Sequence, residues 1–181
     1  MKVYCPCGNP NTNCGNGFVR RLLNYLGGSA FLVNMTGAEI EKFLGYTSDR
    51  LRRYLLATHR GDAQEVARKW AAGDLDQDHI EACAAVLKRT GMKFFQDGKF
   101  TQAAWEVSQL WNLQLMDSFM NRHLKRAKFT DSAKAALAQR KALFEGLNLE
   151  DEDDFELLLE RVRKHVNEDG VYDIGDPARY P

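Results

Sequence analysis

The sequence predicts an all-α fold, a multi-helix bundle of about eight helices preceded by an irregular Cys-rich N-terminal loop. Three observations carry this. Apolar residues recur at three- and four-residue intervals along most of the 181 residues. Most such segments open on a capping residue or stop at glycine. No two runs alternate apolar and polar residues as paired half-buried strands would. With 44% hydrophobic and 28% charged residues, the chain is neither disordered throughout nor short of core.

Residues 1–15 hold three cysteines, three asparagines, two prolines and two glycines, a loop composition. A helical domain is expected over 16–145. Asn16 caps a first helix with Phe18, Val19, Leu22, Leu23 and Leu26 on one face, stopped at Gly27 and Gly28. "SAFLVN" reads as a buried connector, because nothing strand-like is available to pair with it. Two short helices then meet at Gly45. Asp62 caps the next helix, ended by Gly73. Asp76 is expected to cap another, with Ile80, Cys83, Val86 and Leu87 facing inward. Residues 101–127 form the longest apolar run and read as one central helix. Thr130 opens a helix that Gly146 stops. An acidic C-terminal helix and tail occupy 146–181, with acids in the helix's first turn and bases near its end, as the helix dipole favours.

The formal net charge is zero, but from Glu145 to Pro181 there are 12 acids and 4 bases, so the remainder carries +8. A basic body with an acidic tail suits a nucleic-acid binder; a solvated acidic helix with scattered lysines gives the same numbers. No run is long and apolar enough for a membrane span, and "MKVYCPCGNP" lacks the apolar stretch of a secretory leader, so a cytoplasmic location without membrane partners is the expectation.

"AEIEKFLGYTSDRLRRYL" resembles the helix-turn-helix of repressor-like DNA-binding proteins, over residues 36–58. Gly45 supplies the turn, Ile40, Leu44, Leu51 and Tyr54 the shared core, and Thr47 or Ser48 the cap of the second helix. Glu41 stands where such motifs carry alanine, and is expected to reach solvent or widen the angle. The resemblance implies DNA as partner. Arg50, Arg52, Arg53 and Arg60 would meet it, with Ser48 and the free N–H groups of the helix start on phosphate. Such readers pair to engage two half-sites, so the apolar 101–127 run is a candidate homo-oligomer surface. The alternative is a helical protein–protein adaptor or inhibitor that binds its partner through a basic or acidic face. Supporting it, "TGMKFFQDGKFTQAA" resembles a single tetratricopeptide hairpin over 87–110, carried by Gly91, Phe94, Gly98, Phe100 and Ala103.

Cys5, Cys7 and Cys14 share one loop and are candidate zinc ligands if a fourth arrives from Cys83 or a histidine; free thiols are the plain alternative. "NTNCGNGFVRRLLNYL" also resembles the nucleophile segment of papain-like peptidases, but that fold needs a sheet carrying the base histidine, and none is read here. No phosphate-binding glycine loop, zinc-protease helix or serine-hydrolase elbow is present. The expectation is therefore a non-enzymatic protein with no catalytic residue assigned.

Overall fold

Side-chain caps start helices at four of the places where the sequence supplies them. Thr47 Oγ1 accepts from Arg50 N, Asp62 from Gln64 N and Glu65 N, Thr101 from Ala104 N, and Thr130 from Ala133 N. The structure is a computed structural model and describes residues 37–97, 99–126 and 128–167. The cysteine loop, the helix expected from Asn16, the "SAFLVN" connector and the terminal tail lie outside the described residues.

The helices are α1 (Gly37–Leu44), α2 (Ser48–Ala57), α3 (Ala63–Ala72), α4 (Cys83–Thr90), α5 (Gln102–Ser108), α6 (Asp131–Ala142) and α7 (Glu152–Asn167). A 3-10 turn (Leu110–Asn112) and a π-helical stretch (Met120–Lys125) complete them. The protein is mostly helical, but not all-α. Strand β1 (Leu75–His79) pairs antiparallel with β4 (Leu113–Asp117), Gln77 opposite Leu115 at the centre. Strands β2 (Phe95–Gln96) and β3 (Lys99–Phe100) form a small hairpin between α4 and α5.

Two sequence expectations are corrected here. Asp76 does not cap a helix; it lies within β1, and α4 begins at Cys83 with no side-chain cap. The 101–127 run is not one central helix. It is α5, the 3-10 turn, β4 and the π stretch in succession, broken where Gln109 turns extended with ψ 146°. Leu113 and Leu115 do alternate with Gln114, but neighbouring apolar residues at helical spacing hide that period of two.

The two-stranded sheet is buried on both faces. Leu75, Leu113 and Leu115 join the main core, with Tyr54, Leu55, Trp70, Phe155, Leu158 and Val162. Met116, on the other face, packs with Met120 and Leu124 of the π stretch. On that same face Asp78, Lys125 and Gln114 form a buried cluster. Lys125 Nζ donates to Asp78 Oδ1 (2.7 Å), Asp78 Oδ2 (2.6 Å) and the His79 carbonyl, and Gln114 Nε2 donates to Asp78 Oδ2 (2.8 Å). The polar sequence "LDQDH" is thus a strand because tertiary partners absorb its carboxylates. Arg122 and Asn121 take Asp76, and Lys125 takes Asp78. Residues on both sides of the 145/146 division, Tyr54 and Phe155 among them, share one core.

Candidate functional site

The joint between α1 and α2 is formed by Gly45 at φ +79°, with Leu44, Leu51 and Tyr54 buried. Glu41 neither escapes to solvent nor stands apart from the corner. Its Oε1 accepts from Ser48 N (3.0 Å) and Ser48 Oγ (3.1 Å), satisfying one of α2's free N–H groups. Ser48, expected on phosphate, is thereby engaged within the corner.

Most of the arginines expected to meet DNA turn toward α7 instead. Arg50 donates to the Leu149 carbonyl, the Glu150 carbonyl (3.0 Å) and Glu152 Oε2 (3.2 Å), leaving its side chain 16% exposed. Arg53 pairs with Glu152 (2.7 Å) and Glu156. Both guanidiniums lie over the Phe155 ring, 5.2 and 4.9 Å from its centroid. Arg60 Nε donates to the Val166 carbonyl (2.9 Å). Arg52 is half-buried and makes no hydrogen bond or ion pair among the described residues. The hydrogen bond from Arg53, with that from Arg50, holds the Glu152 carboxyl below the usual range. The acidic start of α7 and the basic face of α2 therefore neutralise each other.

Positive charge is concentrated in a different region. Residues 118–141 contain seven lysines and arginines against the single acid Asp131. Lys125 and Arg140 are buried; Arg122, Arg126, Lys128, Lys134 and Lys141 are exposed. This stretch leads into a cleft of about 570 Å³, with Trp105, Trp111 and Phe129 among its lining side chains and Lys134 and Lys141 from α6 on one wall. Lys141 Nζ lies 4.1 Å from the centre of the Trp111 ring. Glu81, Arg89 and Glu106 also line the cleft. Arg89 Nε and Nη2 hold Glu81 at 2.9 and 3.2 Å, and Nη2 holds Glu106 Oε2 at 2.8 Å. These bonds, the one to Glu81 first, raise the guanidinium's pKa further. Asn112, next to Trp111 in the chain, is buried. It accepts from Glu81 N (2.7 Å) and donates to the Glu81 and Val107 carbonyls. These bonds hold the backbone next to Trp111.

Sequence reasoning misses this cleft because its residues are spread from 81 to 141. The signal that could reveal it is the seven-to-one charge ratio of 118–141, concealed by a zero total. Met92, Phe119 and Leu157 are the exposed large hydrophobics among the described residues, and Phe119 lies against His123 at 4.7 Å.

Cys5, Cys7 and Cys14 lie outside the described residues. Of their candidate partners, Cys83 is buried in the main core, His79 and His165 are buried, and His123 is exposed. Among the described residues no group of three or more His, Cys, Asp or Glu is arranged to hold a metal ion, and no helix is long and apolar enough to cross a membrane. The tetratricopeptide-like segment contains two helices in contact, α4 and α5, joined through the β2–β3 hairpin. The sequence matches no protein-family model, and comparison with characterised proteins and with solved structures finds no similar chain.

Proposed function

We propose that the protein is a non-enzymatic nucleic-acid binder whose contact surface is the basic stretch 122–141 and the cleft it enters. One observation carries the reading: five exposed cations against one exposed acid in this stretch, beside a concave surface walled by aromatic rings. Clustered cations attract a polyanion and release its counterions, and aromatic walls accept bases. Arg50 and Arg53, 16% and 28% exposed, are held against α7, so α2 contributes Arg52 at most; Arg122 and Lys134 also pair, with Asp76 and Asp131, but from side chains 61% and 57% exposed that a phosphate can reach.

The test is fluorescence anisotropy with labelled DNA across a salt series. Affinity should fall steeply with salt. Lys134→Ala with Lys141→Ala should weaken binding and flatten the log–log slope by roughly one unit for each phosphate no longer neutralised. An absence of binding at low salt ends the reading.

Glu81 and Glu106 favour a second reading, a helical adaptor. Carboxylates in a basic cleft suit a protein segment carrying charges of both signs. It predicts peptide binding that survives nuclease treatment, with no affinity for DNA.

A further inference from the structure

The geometry points to a more specific ligand: the cleft holds an unpaired base that carries an exocyclic amino group, so the preferred nucleic acid is single-stranded. This rests on the nucleic-acid reading above and deepens it.

A base inside a duplex is stacked on both faces and cannot enter a concave site, whereas a strand with splayed bases can. The cleft's volume, about 570 Å³, lies in the range of small-molecule sites. Trp111 supplies a half-exposed ring whose face is covered by the Lys141 ammonium at 4.1 Å. A base sliding onto that face displaces the ammonium outward, where it can meet the strand's phosphate together with Lys134. The chain beside the ring is held in place, since the neighbouring Asn112 is tied to Glu81 and Val107.

Another lining residue, Glu106, supplies the choice among bases. Glu106 gives Oε2 to Arg89, and its Oε1 accepts no hydrogen bond among the described residues. A carboxylate oxygen accepts from an amino group such as N4 of cytosine. Thymine is a pyrimidine of similar size and offers a carbonyl there, which the carboxylate repels. The bidentate hold of Arg89 on Glu81 keeps Arg89 in place beside Glu106.

Quenching of tryptophan fluorescence by short oligo(dC), oligo(dT) and a duplex of mixed sequence tests the assignment, with anisotropy as the affinity readout. Oligo(dC) should bind more tightly than oligo(dT), and either strand more tightly than duplex. Trp111→Ala should weaken oligo(dC) binding roughly tenfold or more, while Trp111→Phe retains most of it. Glu106→Gln should narrow the gap between oligo(dC) and oligo(dT) without changing the salt slope, because no phosphate contact is touched. Equal binding of oligo(dC) and oligo(dT), or preference for duplex, with salt dependence intact would overturn this inference and leave the broader reading standing. No binding of any of the three at low salt would overturn both.

Discussion

Replacing Lys125 with methionine probes the buried cluster that fastens the basic stretch to the sheet. Lys125 and Asp78 have side chains 1% and 4% exposed and meet at 2.6 Å. Methionine keeps the length of the stem and removes the charge. Asp78 is then left buried, with Gln114 Nε2 at 2.8 Å as its one remaining side-chain donor among the described residues. Breaking a buried pair in this way costs about 3–5 kcal/mol. At roughly 2–4 °C per kcal/mol for a chain of this size, the melting temperature should fall by about 10 °C. Asp78→Asn in the same background removes the stranded charge, and its amide can still meet Gln114. The double variant should therefore be more stable than Lys125→Met alone, with a coupling of about 1–3 kcal/mol. Denaturant titration of wild type, both single variants and the double variant measures the cycle. A Lys125→Met variant within about 1 kcal/mol of wild type, or a double variant showing the full sum of the two losses, would refute the reasoning.

Three further outcomes are expected. Gly45→Ala should cost about 1–2 kcal/mol in a denaturant titration. The added Cβ meets nothing within 4 Å, so the loss comes from backbone strain at φ +79°, and Gly45→Asn should recover part of it. Phe155→Ala empties a fully buried site and should cost about 3–5 kcal/mol, well above Arg53→Ala, whose half-exposed ion pairs contribute at most about 1 kcal/mol. The lowered pKa of Glu152 gives a pH signature. A carboxyl lowered on folding contributes stability that is complete above the ordinary glutamate value, about 4.3, and is lost as pH falls through the lowered folded value. The difference in melting temperature between wild type and Glu152→Gln should thus be present at neutral pH and vanish in acid; a pH-independent difference would contradict the assignment.

Local chemistry determined much of this protein. Thr47, Asp62, Thr101 and Thr130 cap helices because their oxygens satisfy N–H groups that no helix can satisfy itself, and Gly73 and Gly146 adopt a positive φ that strains the backbone of any residue with a side chain. Those features involve neighbours in sequence, and they are legible there. The sheet was not. Asp76 and Asp78 look like a helix start until Arg122 and Lys125, more than 40 residues away, arrive to take their charge. The direction of the arginines was hidden for the same reason. Charge and helical spacing place Arg53 on an outer face and Arg50 at its flank, and only the docking of α7 brings Glu152, Glu156 and Phe155 against them. Tertiary structure likewise gathered Trp105, Trp111, Glu106 and Lys141 around one cleft. An ion pair or a stacked ring depends on distance in space, and sequence separation says little about that once the chain has folded.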